Sequence, residues 1–322
     1  MASFITDDIA RAADALSAGG VVAIPTETVY GLGAIATDAD AVARVYEIKG
    51  RPTNHPLIVH IGSVNVLDEW AADIPEWART LATELWPGPM TLVLPRSPLV
   101  EDVVTGGLPT VAIRVPAHPI TQALLALLRK GIAAPSANRF GRVSPTTAAH
   151  VLDELGEYLT PGRDYILDGG ASAVGVESTI IDCTSEQPHV LRPGATTVGQ
   201  IEALTGLEVV EGGTTAAPGT LHAHYAPRAL VVIVDAPEAA HAPTGSGLLA
   251  PAYVDTPPGL VRLAAPVNTT EYARDLYAAL RKADDLNLTG VVVVPPPADG
   301  LGLAIRDRLR KAAYGSSQES RD

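Results

Sequence analysis

Short apolar runs alternate with amphipathic segments along the first two-thirds of the chain. The apolar runs have the length of strands and lie at 21–25, 57–61, 91–95, 111–116, 132–138 and 178–183. Segments with helical spacing lie at 9–16, 38–48 and 118–130. Because alternating strands and helices pack as layers, with helices covering a sheet, this pattern predicts an α/β fold.

The last third of the chain repeats this alternation on a smaller scale. Strand-length runs lie at 229–235 and 290–296, and helical patterns lie at 271–286 and 302–313. The spacing predicts a small, Rossmann-like parallel αβα unit, separate from the larger one that precedes it.

A stretch rich in Gly, Thr, Ala and Pro separates the two regions at 211–228. The charge balance changes at the same place. Residues 1–212 hold 13 basic and 25 acidic side chains, a net charge of −12, whereas the remainder holds 10 and 11. We therefore predict a first domain over 1–210, a linker over 211–228 and a smaller domain over 229–322.

Composition excludes several classes of protein. Hydrophobic residues make up 47% of the 322 positions, which is enough for a core and excludes wholesale disorder. One cysteine excludes a disulfide framework or a multi-cysteine metal centre and fits a reducing compartment. A net charge of −13 disfavours a protein that coats nucleic acid or an anionic membrane.

Targeting, phosphate-loop and metal motifs are not found. The start of the chain is acidic and lacks the basic region of a signal peptide, and no apolar run reaches the roughly 18 residues of a membrane span. We therefore predict a cytoplasmic protein. No GxxxxGK[ST] run exists and no GxGxxG follows a strand, which disfavours P-loop and dinucleotide enzymes. The eight histidines are scattered, so no metal site formed by the protein alone is predicted.

The first of four polar clusters is PTETVYGLG at 25–33, directly after a buried strand. It places two threonines, a glutamate and a tyrosine within five residues. It then supplies Gly31 and Gly33, which we expect to form tight backbone turns. An ordinary hydroxyl-rich turn is the alternative interpretation.

The second cluster, KGRPTNHPLIVH at 49–60, begins at the end of a predicted helix. Lys49 and Arg51 are separated by one glycine, so both can reach the same polyphosphate, the arginine through its planar fork. We expect both side chains to face solvent or ligand. Cations at this position also suit the helix dipole, and that role stays open.

The third and fourth clusters also follow or begin strands. In APSANRFGRVSPTT at 134–147, small hydroxyl and amide groups beside free backbone N–H groups are typical of an anion nest, although a helix N-cap is an alternative. In VGVESTIIDC…LRPG at 174–194, Ser178 stands at a strand start and Arg192 precedes a Pro-Gly turn.

The order and spacing of these clusters resemble the YrdC-like family of threonylcarbamoyl-AMP synthases. That family has a Lys-x-Arg…Ser-x-Asn signature, and the matching residues here are Lys49, Arg51, Ser136 and Asn138. The resemblance covers about residues 10–205. The linker and the remaining residues resemble the long, two-domain branch of the family. The chain departs from the family at His55, where an amide or another small polar residue is common.

The resemblance implies a twisted mixed-sheet domain with a concave cleft, which condenses L-threonine, bicarbonate and ATP into L-threonylcarbamoyl-AMP and releases pyrophosphate. Mg²⁺ is expected to arrive with ATP, and no organic cofactor is expected. The product feeds the t6A modification of tRNA, so the expected partner is the tRNA threonylcarbamoyl-transferase machinery. No membrane partner and no direct tRNA binding are expected. Cationic and hydroxyl groups without a covalent nucleophile suit catalysis by positioning and electrostatics.

The resemblance also implies roles for individual side chains. The implied catalytic set is Lys49, Arg51, Ser136 and Asn138. The implied ATP-binding set comprises these four with His55, Thr110, Ser144, Arg192, His224 and Tyr225, the last two within a linker lid. The implied threonine pocket comprises Thr28, Tyr30, His60, Arg114 and Ser178. Because a charge inside a strand is costly unless it is paired, we expect a substrate carboxylate as the partner of Arg114.

Two alternative functions stay open. A module of the same fold can bind double-stranded RNA or tRNA, although the charge of −12 argues against this and such binding would weaken steeply with salt. A carbamoyltransferase that uses carbamoyl phosphate has a related domain. Proteins of that kind carry acylphosphatase and zinc-finger segments, and a single cysteine excludes the latter.

Overall fold

The computed structural model describes residues 4–219, 223–236 and 243–319, and the chain divides into two compact units. The first unit runs to residue 220, except that the short stretches 141–144 and 173–176 group with the second unit. The second unit otherwise begins at residue 221. The predicted boundaries of domains and linker, at 210, 211, 228 and 229, stay a prediction.

The first unit is a large mixed sheet with helices, which confirms the predicted α/β fold. Its strands are β1 Ile5–Thr6, β2 Val22–Ile24, β3 Gly31–Ile35, β4 Ile58–His60, β5 Met90–Pro95, β6 Thr110–Arg114, β7 Ile132–Ala133, β8 Tyr165–Leu167, β9 Thr179–Asp182, β10 His189–Arg192 and β11 Val210–Glu211. Its helices are α1 Ile9–Ser17, α2 Ala39–Lys49, α3 Leu67–Trp70, α4 Glu76–Leu85, α5 Asp102–Thr105, α6 Pro119–Leu128, α7 Ala148–Leu155 and α8 Val198–Thr205. The strand order is β1-β8-β2-β3-β7-β4-β6-β5-β9-β10-β11.

The two faces of the central strands differ because side chains alternate along a strand. Val59, Leu92, Ile113 and Ile181 lie in the main apolar core, together with buried residues of the helices. The neighbouring positions face the other way. There, Ile58, Val93, Ala112 and Ile180 form a smaller apolar cluster on the second face. His60 and Arg114 are direct partners across β4 and β6 and continue this second face, which therefore carries the polar side chains of the candidate site.

The two glycines of the first cluster lie in a strand, so the expectation that they form turns is wrong. Gly31 and Gly33 belong to β3, which pairs with β2 and β7. A Cβ atom on Gly33 would lie 2.6 Å from Cγ2 of Ile132. Glycine is needed here because the neighbouring strand approaches closely, not because the backbone turns.

The first part of the predicted linker packs on the first unit. β11 pairs with β10, and the hydroxyl of Thr215 donates a hydrogen bond to Asp182. Ala217 is buried in the apolar cluster on the second face of the sheet. Residues 210–217 are therefore held in place rather than forming a free tether.

The second unit contains a four-stranded parallel sheet, as the small αβα pattern predicts. Its strands are β12 Leu230–Ile233, β13 Gly247–Leu249, β14 Val261–Ala264 and β15 Gly290–Val293, in the order β12-β15-β13-β14. Its helices are α9 Thr269–Asp285 and α10 Leu301–Glu319. No helix in the described parts of the chain is long and apolar enough to cross a membrane.

Candidate active site

Lys49 is the last residue of α2, a helix with well-defined ends. The carboxylate of Asp38 caps its start, and Gly50 ends it in the left-handed conformation at φ 61°. The Lys49 side chain is 1% exposed, and its Nζ donates to the main-chain oxygens of Ser136 at 2.6 Å and Asn138 at 2.5 Å. The expectation that this side chain faces solvent or ligand is therefore wrong, because the ammonium is turned towards carbonyl groups.

Burial lowers the pKa of Lys49 well below its usual value, and the positive charge of Arg51 lowers it further. The two carbonyl groups offset part of this cost as hydrogen-bond acceptors. The structure thus brings Lys49 together with Ser136 and Asn138, three of the four residues of the implied catalytic set. The contact is between the lysine and the main chain of the other two.

Arg51 is also largely buried, at 7% exposed, and shapes the loop that follows it. Its Nε donates to the carbonyl of His55 at 3.2 Å and its Nη2 to the carbonyl of Pro56 at 2.9 Å. Its guanidinium lies 5.8 Å from the centre of the Phe140 ring, which His55 contacts edge-on at 5.4 Å. Partial burial and the charge of Arg51 lower the pKa of His55.

The loop after β7 is tied to α2 by a second cation as well. Arg139 donates from Nη1 to the carbonyl of Ile48, and its guanidinium lies 4.3 Å from the centre of the Tyr158 ring. A Cβ atom on Gly50 would lie 2.8 Å from Nη2 of Arg139, so the lysine-glycine-arginine spacing also provides room for this side chain. Asn138 is buried, and its Nδ2 donates to the carbonyl of Arg139 at 2.7 Å.

Arg114 has a protein partner, which removes the argument that it needs a substrate carboxylate. Its Nη2 lies 2.5 Å from Oε1 of Glu27, its Nη1 donates to the hydroxyl of Thr28 at 2.8 Å, and its Nε donates to the carbonyl of Gly88 at 3.2 Å. The other oxygen of Glu27 accepts the backbone N–H of Ala117 at 2.9 Å. The guanidinium is thus held in one orientation, with its charge compensated.

Glu27 stays ionised in this setting. Burial raises the pKa of its carboxyl, but the charge and hydrogen bond of Arg114 lower it by more, with further hydrogen bonds from backbone N–H groups. The pKa of Glu27 therefore lies below its usual value.

His60 lies beside Arg114 as a neutral imidazole. Burial, together with the positive charge of Arg114, lowers the pKa of His60 to about 3. The side chain is 4% exposed, and its Nδ1 has no hydrogen-bond partner among the described residues. Because a buried polar atom without a partner is costly, this nitrogen is a candidate contact for a bound molecule.

Ser178 and Arg192 are in direct contact, although the family resemblance implies a threonine-binding role for Ser178 and an ATP-binding role for Arg192. Arg192 donates from Nη2 to the carbonyl of Ser178 at 3.0 Å and to its hydroxyl at 3.2 Å. The same hydroxyl lies 2.7 Å from Oγ1 of Thr91. Nη1 of Arg192 donates to the carbonyl of Pro218 at 2.9 Å, so this arginine joins Ser178 to a residue within the predicted linker.

Tyr30 and Thr110 complete the predicted residues of the first unit. Tyr30 is fully buried, and its hydroxyl donates to the carbonyl of Gly170 at 2.8 Å while accepting the N–H of Gly169 at 3.0 Å. Burial raises the pKa of Tyr30 to about 12, so it remains protonated. Thr110 is half-buried at the start of β6, two pairs of residues before Arg114 on the same face of the strand.

Three predicted ATP contacts belong to the second unit. Ser144 is fully buried. The rings of His224 and Tyr225 lie 4.1 Å apart, and Tyr225 stacks on Tyr277 at 5.6 Å. The guanidinium of Arg308 lies 5.6 Å from the centre of the Tyr225 ring. The ATP-binding roles of Ser144, His224 and Tyr225 stay predictions.

Two contributors were not assigned a role from the sequence. Glu27 stood in the first polar cluster, but its partner Arg114 is 87 positions away, and no local pattern pairs the two. Thr91 lies on the same face of β5 as Val93. Because side chains alternate between the two faces of a strand, the sequence of β5 could have placed Thr91 beside the site.

The described residues offer no metal site of their own. Within 4–219, 223–236 and 243–319, no group of three or more His, Cys, Asp or Glu side chains is arranged to hold a metal ion. The carboxylate of Glu27, which lies within the candidate site, is already bound to Arg114.

Comparison with known families gives two matches that together span most of the chain. A family described as "Telomere recombination" (Sua5_yciO_yrdC) matches residues 14–194. A second, described as "Threonylcarbamoyl-AMP synthase, C-terminal domain", matches residues 196–314.

Individual relatives match over nearly their full length. The threonylcarbamoyl-AMP synthase of Pyrococcus abyssi is 42% identical, over 94% of this chain and 93% of its own. That of Bacillus subtilis is 40% identical, over 95% and 93%. The crystal structure of P. abyssi Sua5 complexed with L-threonine superposes with a TM-score of 0.85 and 40% identity, over 96% of this chain and 94% of that one.

Proposed function

The chain belongs to the threonylcarbamoyl-AMP synthase family, and from this we propose that it forms L-threonylcarbamoyl-AMP and pyrophosphate from L-threonine, bicarbonate and ATP. One observation carries the proposal at the level of the site. His60 and Arg114 are neighbours on one face of the sheet, and Arg114 holds Thr28. These residue types can bind the polar groups of an amino acid.

The chemistry requires positioning more than a covalent nucleophile. A carbamate oxygen formed from threonine and bicarbonate must reach the α-phosphorus of ATP in line with the departing pyrophosphate. Negative charge accumulates on the phosphate oxygens during this step, and fixed cations stabilise it. Arg51 and Arg192 are the arginines that we assign to the triphosphate, since guanidinium groups match phosphate geometry.

The residues of the site divide by role in this proposal. Thr28, Tyr30, His60, Arg114 and Ser178 form the threonine side. Arg51, His55, Thr110, Ser136, Asn138 and Arg192 form the ATP side in the first unit, and Ser144, His224 and Tyr225 stay predicted ATP contacts. Lys49 acts through the loop that contains Ser136 and Asn138, because its ammonium binds the carbonyls of both. Mg²⁺ would be bound by the triphosphate and would neutralise part of its charge.

The place of the reaction in the cell follows from its product. A mixed anhydride of a carbamate and AMP is an activated acyl donor, so an acyl transfer must consume it. We propose that the product passes to the tRNA threonylcarbamoyl-transferase machinery in the cytoplasm. Direct binding of tRNA by this chain is not part of the proposal, because residues 1–212 carry a net charge of −12.

Pyrophosphate release tests the proposal. The protein is incubated with ATP, L-threonine, bicarbonate and Mg²⁺, and each component is left out in turn. We expect release only when threonine and bicarbonate are both present. Release that needs carbamoyl phosphate instead of bicarbonate would favour the carbamoyltransferase alternative. Steeply salt-dependent binding of double-stranded RNA without any release would favour the RNA-binding one.

A further inference from the structure

We propose that Thr28 offers the amino-acid substrate a hydrogen-bond acceptor only, because Thr26 and the Glu27–Arg114 pair fix the direction of its hydroxyl proton. The inference rests on the proposed function, since it concerns how the same site recognises threonine. It makes Thr26 and Glu27 positioning residues that act through Thr28.

The hydroxyl of Thr26 has a single proton. Oγ1 of Thr26 lies 2.5 Å from the main-chain oxygen of Val29. A carbonyl oxygen cannot donate, so the proton of Thr26 lies on this bond. The backbone N–H groups of Thr28 and Val29 both point at the same oxygen from 3.2 Å, which confirms that Oγ1 of Thr26 otherwise accepts.

The direction of the next hydrogen bond follows. The hydroxyl oxygens of Thr26 and Thr28 are 2.8 Å apart, and from this distance alone either could donate. Because the proton of Thr26 is already used, a hydrogen bond between the two oxygens requires Thr28 as its donor. Oγ1 of Thr26 accepts this bond at 2.8 Å, and the two longer contacts from the backbone N–H groups at 3.2 Å share its lone pairs. The single proton of Thr28 therefore points at Thr26, away from any bound molecule.

Arg114 donates a hydrogen bond to one of the two lone pairs of the Thr28 hydroxyl oxygen. Its Nη1 donates to Oγ1 of Thr28 at 2.8 Å, and a guanidinium can only donate. Glu27 holds the arginine in this orientation through Nη2, while the backbone N–H of Ala117 holds the other carboxylate oxygen. A hydroxyl has two lone pairs, so one acceptor position is left on Thr28.

This polarity selects which substrate group can contact Thr28. The free lone pair suits a hydrogen-bond donor, which in threonine is the α-ammonium group or the β-hydroxyl proton. A carboxylate has no proton at neutral pH and would face a lone pair, which is repulsive. Thr28 thus distinguishes the donor groups of the amino acid from its carboxylate. Thr26 and Glu27 set this preference, and neither needs to contact the substrate.

A substitution at Thr26 tests whether Thr28 accepts a hydrogen bond from the substrate or donates one to it. Thr26→Val removes the acceptor for the Thr28 proton, and also that for the backbone N–H groups of Thr28 and Val29, and lets the Thr28 hydroxyl rotate. Thr26→Ser keeps the acceptor for all three. The dissociation constants of L-threonine and of ATP are measured by calorimetry, without turnover. We expect Thr26→Val to weaken threonine binding roughly three- to tenfold, since one well-oriented hydrogen bond contributes about that much. Thr26→Ser should restore binding, and ATP binding should change by less than about twofold in both.

The contrary result is equally specific. If Thr28 served a carboxylate, freeing its proton in Thr26→Val would leave threonine binding unchanged or make it tighter. Either outcome, in a variant that unfolds at the wild-type temperature, overturns the inference.

A second variant covers the case in which Thr26→Val does not fold. Thr28→Val is compared with wild type for L-threonine, 2-aminobutyrate, which lacks the hydroxyl, and 1-aminopropan-2-ol, which lacks the carboxylate. An equal loss of affinity for all three ligands indicates the ammonium group as the donor. A loss that vanishes only for 2-aminobutyrate indicates the hydroxyl. The ammonium result supports the inference. The hydroxyl result supports it only if the loss also vanishes for O-methyl-L-threonine, whose side-chain oxygen can accept but not donate, and overturns it if that loss persists. A loss that vanishes only for 1-aminopropan-2-ol indicates the carboxylate and overturns the inference.

Failure of the inference is separable from failure of the proposed function. A wild-type protein that binds no L-threonine contradicts the proposed function, and the inference with it. A wild-type protein that binds threonine and releases pyrophosphate, but shows the carboxylate pattern, contradicts the inference alone.

Discussion

The ammonium of Lys49 donates to the main-chain oxygen of Asn138 at 2.5 Å, so the last residue of α2 holds the loop that follows β7. The same nitrogen also binds the carbonyl of Ser136. Lys49, a residue of the family signature, thus holds the site in shape although it is itself buried. Its loss is therefore expected to affect stability as well as catalysis.

Lys49→Met should destabilise the protein and slow the reaction together. The substitution removes the donor that Lys49 supplies to two buried carbonyl groups, each at a cost of about 1–3 kcal/mol, so we expect the free energy of unfolding to fall by about 2–4 kcal/mol. Lys130→Met is the matched control, because Lys130 is exposed, and it should change stability by less than about 0.5 kcal/mol. Urea unfolding and pyrophosphate release measure both effects. An inactive Lys49→Met protein of full stability would instead indicate direct contact with substrate.

Because His60 is buried and neutral, we expect the folded protein to lose stability in acid. Its pKa is about 3 in the folded protein, whereas an unfolded histidine titrates near 6.5. The unfolded chain therefore binds this proton first, and the folded state loses stability as the pH falls from about 6.5 towards 3. His60→Gln should remove this contribution, so its urea midpoint should fall less than that of wild type over the same pH range. Parallel profiles for the two proteins would contradict a neutral, buried His60.

The close packing around Gly33 predicts that two glycine-to-alanine substitutions differ in their effect on stability. A Cβ atom at position 33 would lie 2.6 Å from Cγ2 of Ile132, so Gly33→Ala should destabilise the protein by about 1–3 kcal/mol. Gly199 lies in α8 with no atom within 4 Å of its added Cβ, so Gly199→Ala should be neutral or stabilise by about 0.5–1 kcal/mol. Thermal unfolding of both variants checks the prediction. Equal melting temperatures would show that β3 and β7 tolerate a side chain between them.

Substrate analogues test whether the pocket reads the threonine hydroxyl. Serine lacks only the methyl group, which an apolar contact discriminates by roughly 10–200-fold. 2-Aminobutyrate lacks the hydroxyl and leaves its buried hydrogen-bonding partners unpaired, with Thr28 and Ser178 as candidates, so it should be rejected more strongly. The measurement is kcat/KM from pyrophosphate release for each amino acid. The opposite order would refute a pocket that reads the hydroxyl.

Local patterns predicted the class of the fold and most of the central strands. The runs at 57–61, 91–95 and 111–116 contain all of β4 and all but the first residue of β5 and of β6, because buried strands need continuous apolar sequence. β3 was misassigned because GLGAI looks like turn sequence. Its glycines are explained only by the neighbouring strand, which is a tertiary contact that no local pattern reveals.

The site was predictable as a set of residues but not as a set of contacts. The family resemblance joined Lys49 and Asn138 in one catalytic set, yet the expectation was that the ammonium faces solvent or ligand, whereas it binds the main chain. From the sequence, the expected partner of Arg114 was a substrate carboxylate, whereas the carboxylate of Glu27 supplies the countercharge. Pairings of this kind join residues some 90 positions apart and depend on how the strands are ordered, so the sequence alone does not specify them.

The most direct test of the proposed function is the identity of the product. The protein is incubated with ATP, L-threonine and ¹³C-labelled bicarbonate, and the nucleotides are separated immediately and analysed by mass spectrometry. The proposal predicts an AMP adduct that contains threonine and one labelled carbon, formed in equal amount to pyrophosphate. An adduct of AMP and threonine without the label, or release of ADP and phosphate instead, would contradict it.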